Sequence, residues 1–297
     1  LEGIPPAKPA GTGRPRRRRL RSQLGMEEPV VRVSRPHPHV VEVALNRPKQ
    51  LNACSLEVFD ALTDAFNALM LDEDAYVVVL RGEGKHFCAG LDLSAAQSAL
   101  RTDGEDVARR ALQMRRVIER HQKPCELLAK LPQATIACVH GACVGAGVDL
   151  TAACDMRYCS ADSKFSIKEV DVGLAADLGS LHRVPLVCGN TSWVRELAFT
   201  GRQFGAEEAL RFGYVSRVEK DEPSTREAVY ELARAIAGKS PIALRATKEM
   251  CAYAESHGPD ECLSYVRTLN SAMLQTKDME TCMKAFTTRK APTFSKL

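Results

Sequence analysis

The chain has 297 residues, 45% hydrophobic and 26% charged. That is the balance of an ordinary globular protein, and it excludes a disordered polymer, a collagen-like chain and a fibrous repeat. The net charge of +4 is unevenly spread: residues 1–25 hold seven Lys or Arg and one acid, whereas the rest holds 34 basic and 36 acidic side chains. The body is therefore nearly neutral, which argues against a basic nucleic-acid face. No uncharged apolar run reaches the ~18 residues that a membrane-spanning helix needs.

Residues 1–25 are rich in Pro, Gly and Arg and carry no apolar periodicity, so a flexible basic segment is expected there. Three readings stay open: a presequence, which would direct the chain to the mitochondrial matrix, an added extension, or a nucleic-acid arm. Val30–Val33 and His39–Ala44 flank the turn-forming SRPHPH and predict a β-hairpin. Leu56, Phe59, Leu62, Phe66, Leu69 and Met70 recur at helical spacing. AYVVVLRG is a continuous apolar run ended by glycine, as in a strand buried on both faces.

A polar stretch from Ala95 to Gln122 hints at helix, and helix is predicted again over Cys125–Lys130. ATIACVHGACVGAG reads as a strand entering a glycine turn, VDLTAACD as helix and MRYCS as strand. KFSIKEVDVG reads as a strand running into a loop. Trp193–Leu197 opens a helix, and GAEEALRFGYVSRV is helix, turn and strand. From Glu222 onward the pattern is only helical. Alternating strands and helices predict an α/β core over residues 26–220, followed by a helical region over 221–297.

Eleven cysteines without a CxxC match no zinc spacing, and no metal site is expected. Most lie in apolar surroundings, as reduced structural thiols do. Cys88 is the sharpest alternative as a nucleophile, but no His/Asn pattern accompanies it.

Chemistry is expected where two glycine-bearing turns, HFCAGLDL and HGACVGAGVDL, each follow an apolar strand. Small residues let a ligand approach the main chain, and a helix start presents unpaired N–H groups. The second turn is not a dinucleotide fingerprint, because no full GxGxxG opens the helix. A train of acids follows: Asp149, Glu169, Asp171 and Asp177, each beside apolar or small residues. A carboxyl group facing a pocket in such surroundings is held toward its neutral form and can act as acid or base.

HFCAGLDL and HGACVGAGVDLTAACDMRYCSADSKFSIKEVDVGLAADLGSLHRVP resemble the crotonase (enoyl-CoA hydratase/isomerase) superfamily, and in KEVDVGLAAD its dienoyl-CoA isomerase branch. The resemblance spans Val30 to Leu297. It implies a spiral of ββα repeats, a helical C-terminal trimerisation region, and a homotrimer or homohexamer. It also implies an acyl-CoA thioester substrate, with no cofactor beyond the coenzyme A that the substrate carries. The oxyanion-hole N–H groups would fall on Ala89 and Ala146, where many members have glycine at the second position. The acids would fall on Asp149, Glu169 and Asp177, whereas hydratases carry glutamate at the first of these and glycine at the third.

The implied reaction converts 3,5-dienoyl-CoA to 2,4-dienoyl-CoA in the β-oxidation of unsaturated fatty acids. Glu169 would take the proton at carbon 2, Asp177 would supply one at carbon 6, and Asp149 would tune Glu169 or bind water. The alternatives are an enoyl-CoA hydratase using Asp149 and Glu169, or a CoA- or RNA-binding homologue without activity. Arg289 and Lys290 are the candidates for CoA phosphate contacts. Ser295, Lys296 and Leu297 form a tripeptide read as a peroxisomal address, implying an import receptor as partner.

Overall fold

The computed structural model describes residues 28–92 and 106–296. The basic segment 1–25, most of the stretch read as polar helix before residue 106, and Leu297 lie outside the described residues. Two sheets organise the chain. The larger has six strands in the order β1 (Val31–His37), β2 (Val40–Leu45), β3 (Val77–Gly82), β4 (Ala134–Val139), β6 (Met156–Ser160) and β9 (Arg217–Glu219). Only β1 runs antiparallel to its neighbour. The smaller joins β5 (Ala142–Val144), β7 (Lys164–Ser166) and β8 (Phe204–Gly205), and single bridges Cys88–Cys143 and Cys54–Leu91 lie beside it.

The repeat behind this pattern is a ββα turn. β2 leads to the bridge at Cys54 and then to α1 (Leu56–Met70). β3 leads to the bridge at Cys88 and then to α2 (Val107–Lys130). β4 and β5 lead to α3 (Ala146–Ala152), and β6 and β7 lead through a 3-10 turn at Glu169–Val172 to α4 (Ser180–Cys188). The α/β spiral expected from the sequence is what the chain forms.

Parallel strands need crossovers, and the crossover helices cover the sheet, so β2, β3 and β4 are buried almost throughout. Alternate residues face opposite layers. Val41, Val43, Val78 and Leu80 belong to the main core with Phe59, Leu62 and Phe66 of α1. Val40, Val77, Val79 and Ile136 pack instead with Val229 and Ala233 of α7 (Glu222–Ala237). Three further helices end the chain: α8 (Pro241–Ala254), α9 (Pro259–Met273) and α10 (Lys277–Thr288). Along the chain, α5 (Thr191–Thr200) precedes β8, and α6 (Ala206–Arg211) lies between β8 and β9.

Three local outcomes depart from the sequence expectation. The hairpin turn is not SRPHPH but only Pro38 and His39, the latter at φ 59°. β1 continues through Pro36 because it is an edge strand, where a missing N–H costs no ladder bond, and its register slips between Ser34 and His37. The helix read at Cys125–Lys130 is the end of α2, which runs on through Pro124; the buried side chains Cys125, Leu127 and Leu128 offset the lost hydrogen bond. α4 was not foreseen, because Pro185 interrupts its nine residues.

Sheet and α7 are tied together by a buried charge network. Glu42 on β2 accepts from Arg81 Nε on β3 at 2.7 Å and from the Tyr230 hydroxyl on α7, and Arg81 also reaches Glu83 at 2.7 Å. Burial pushes the Glu42 carboxyl up, but hydrogen bonds from Arg81 and Tyr230 outweigh it and hold the group below its ordinary range. Removing one member leaves a buried charge without its partner. Arg81→Met is therefore expected to destabilise the fold by about 3–5 kcal/mol, read from urea denaturation; a loss below about 1 kcal/mol would mean that water already compensates Glu42.

Candidate active site

The two glycine turns abut. The Cys88 N–H donates to the Ala142 carbonyl at 3.0 Å, and the Cys88 carbonyl accepts from the Val144 N–H at 2.9 Å. Gly90 adopts φ +99°, and a side chain there would meet the Val144 carbonyl at 3.3 Å. Gly145, at φ +50°, caps α3, and a Cβ on it would lie 2.9 Å from Glu169 Oε1 and 3.7 Å from Gly90 Cα. Glycine is required at both positions, since only it reaches these dihedrals without strain while leaving the space open.

This packing brings Ala89 and Ala146 into one region, and the Glu169 carboxylate lies against the main chain one residue before Ala146. The N–H groups of Ala146 and Gly147 open α3 and so have no partner within the helix. The Ala89 N–H is different: it donates to the Leu51 carbonyl at 3.0 Å. An oxygen bound between Ala89 and Ala146 must therefore share or displace the Leu51 carbonyl. Leu51 itself is exposed and sits at φ 53°.

Three acids come from three segments. Asp149 lies in the first turn of α3 and is 0% exposed. Its Oδ1 accepts the N–H of Ser180, the first residue of α4, at 2.6 Å, while Oδ2 is buried without a partner. Burial first, and then the nearby charge of Glu169, push the Asp149 carboxyl up to about 7. Glu169 opens the 3-10 turn and is half-buried, with Oε2 shielded and unpartnered. Burial raises its carboxyl, and the charge of Asp177 raises it further. Asp177 is exposed, on the loop before α4, and its charge acts on both other acids. Asp171 points elsewhere: it is exposed and pairs with Lys168.

The framework under these groups is rigid. Thr151 of α3 bonds the buried Tyr214 hydroxyl at 2.6 Å, and Tyr214 packs edge-on against Phe165 and Phe204 of the small sheet. The loop carrying Asp177 is held by side chains that the sequence did not single out. Gln122 on α2 donates to the Asp177 carbonyl at 2.6 Å, and Arg183 on α4 to the Leu178 carbonyl at 3.3 Å. A glutamine in a polar helix carries no pattern that points to a loop 55 residues away.

Cys88 is a core thiol: it is 0% exposed, and its Sγ lies 3.6 Å from that of Cys54. Seven of the eleven cysteines are buried in this way. Arg289 and Lys290 lie exposed at the end of α10 and enter none of the contacts described above. Among the described residues no group of three or more His, Cys, Asp or Glu is arranged to hold a metal ion, and no helix is long and apolar enough to cross a membrane.

Abutting glycine turns, main-chain donors at a helix start and neighbouring carboxyl groups thus meet in one region of a ββα spiral. The chain belongs to the enoyl-CoA hydratase/isomerase family, whose model matches residues 36–296. It is 45% identical over 271 residues to the mitochondrial Delta(3,5)-Delta(2,4)-dienoyl-CoA isomerase of Homo sapiens, covering 90% of this chain and 83% of that protein. It is 40% identical over 260 residues to the peroxisomal Delta(3,5)-Delta(2,4)-dienoyl-CoA isomerase of Arabidopsis thaliana, covering 87% of this chain and 93% of the relative. Among solved structures, an enoyl-CoA hydratase from Bacillus anthracis superposes with a TM-score of 0.81 at 28% identity, over 89% of this chain and 98% of that one.

The buried Asp149 carboxyl gives the fold a pH signature. Its folded value of about 7 lies above the ordinary value, so the native state holds the proton more tightly than the unfolded chain. The stabilisation is complete below the ordinary carboxyl range and is lost as pH rises through about 7. Asp149→Asn keeps an oxygen for Ser180 and cannot ionise, so the variant's melting temperature should gain on the native protein's by several degrees between pH 5 and pH 8. A difference that stays constant, or runs the other way, would show that Asp149 is charged throughout.

Proposed function

We propose that this chain isomerises 3,5-dienoyl-CoA to 2,4-dienoyl-CoA in the breakdown of unsaturated fatty acids. The observation that carries the reading is the presence of three mutually interacting carboxyl groups around abutting glycine turns, in a chain 40–45% identical to dienoyl-CoA isomerases. A thioester α-proton leaves only if the resulting enolate oxygen is stabilised. The N–H of Ala146, together with that of Ala89 once it releases Leu51, supplies this stabilisation; such a donor is worth roughly 3–4 kcal/mol.

Glu169 removes the proton from carbon 2, and the electrons shift along the chain to place double bonds at carbons 2 and 4. Protonated Asp177 delivers a proton to carbon 6, and exchange with water resets both groups. No resident cofactor takes part, since the proton removed and the proton supplied balance. Asp149, a close neighbour of Glu169, tunes that base or binds water. A hydratase needs only two acids around a water molecule, which would leave Asp177 without a task.

The reading extends to assembly and address. α9 and α10 expose Leu263, Leu274, Met283 and Phe286, an apolar surface suited to further copies in a trimer or hexamer. The Ser295–Lys296–Leu297 tripeptide supports a peroxisomal address, the compartment in the name of the Arabidopsis relative, while the human relative carries the mitochondrial one.

Purified protein assayed side by side should turn over 3,5-dienoyl-CoA far faster than it hydrates 2-enoyl-CoA. Asp177→Asn should cut the isomerisation by roughly 10²–10⁴-fold. Near-native turnover in that variant, or hydration as the dominant native activity, would overturn the assignment.

A further inference from the structure

Gln122 is unlike its neighbours on α2. Its amide spends a donor on the Asp177 carbonyl, 55 positions away in sequence, at 2.6 Å. The helix is seated firmly at that point. Arg120 forks onto Asp60 of α1, with Nε to Oδ1 at 2.7 Å, and the His121 ring lies against Phe59 of α1 at 4.8 Å between centroids. Three successive residues thus join α2 to α1 on one side and to the acid-bearing loop on the other. On the far side of that loop, Arg183 fixes the next carbonyl and Asp149 receives the N–H of Ser180. The main chain that follows the Asp177 side chain is therefore clamped, although Asp177 itself is exposed.

We infer that Gln122 is a positioning residue for the second proton transfer, setting the Asp177 carboxyl opposite carbon 6 by holding its main-chain carbonyl to α2. The inference rests on the role proposed above for Asp177. It separates the two halves of the reaction. Glu169 lies against Gly145 and depends on α3 and the 3-10 turn, not on α2. Loosening the Asp177 loop from α2 should spare proton removal at carbon 2 and slow proton delivery at carbon 6.

The test is isotope exchange. Gln122→Met keeps the side-chain length and removes the donor; Gln122→Glu keeps the shape and replaces the amide N–H with a carboxylate oxygen. In D2O with 3,5-dienoyl-CoA, both variants should lower kcat at least tenfold with KM within twofold. Washout of the carbon 2 hydrogens into recovered substrate should stay within twofold of native. Isomerisation within twofold of native, or an equal fall in exchange and isomerisation, would overturn the inference. The Asp177→Asn variant, run in parallel, separates failures: if it keeps native turnover, the reading of the site fails, and if it alone loses turnover, only the role of Gln122 does.

Discussion

Ser180 donates its main-chain N–H to a carboxylate that solvent does not reach, and this contact joins α3 to α4 across the site. Asp149 stands in the first turn of one helix and caps the first turn of the other, so both helix ends favour its negative charge. Burial opposes them and wins, which is why the group is raised to about 7 rather than lowered. Its second oxygen has no partner, so nothing in the protein matches a full charge there. A group balanced in this way responds to its surroundings, and its immediate surroundings are the other acids.

That balance gives a physical account of three carboxyl groups in one place. Like charges resist ionising together, so each ionised carboxylate raises the carboxyl groups beside it. Burial is the largest cause that raises Glu169, and a carboxylate held that way is a stronger proton acceptor than a solvated glutamate. The glycine turns contribute space rather than charge. A methyl group at Gly145 would meet Glu169 Oε1, so this carboxylate lies close to the main chain only because no side chain intervenes.

Much of this was legible in the sequence where burial imposes a pattern. Phe59, Leu62, Phe66 and Leu69 announced α1 through their spacing, and the Val77–Leu80 run announced a doubly covered parallel strand. The run of acids Asp149, Glu169, Asp171 and Asp177 was visible beside apolar and small residues, but the choice of Asp149, Glu169 and Asp177 among them came from the resemblance to the family's motifs. The prolines misled: Pro36 sits on an edge strand, Pro124 within a helix packed tightly enough to tolerate it, and Pro185 within α4. What could not be read was any contact made by an unpatterned polar side chain. Gln122, Arg183 and the Ser180 N–H act through main-chain groups, whose positions follow from the fold and leave no residue-type signal. The engagement of Ala89 N–H by Leu51 belongs to the same class.

The Leu51 contact sets a condition on binding. A buried or half-buried amide rarely stays unpaired, so an oxyanion hole awaiting its ligand needs either water or a substitute acceptor for each donor. Ala146 has its N–H at a helix start, where the dipole favours negative charge. Ala89 has a carbonyl from an exposed residue in a left-handed conformation, held on a short segment between Arg47 and Cys54. In the proposed reaction, exchanging this neutral carbonyl for a developing enolate oxygen would strengthen as charge builds on the oxygen, because charge-assisted hydrogen bonds are roughly twice as strong as neutral ones. The donor would then gain more from the transition state than from the bound substrate, which is the condition for catalysis rather than mere binding.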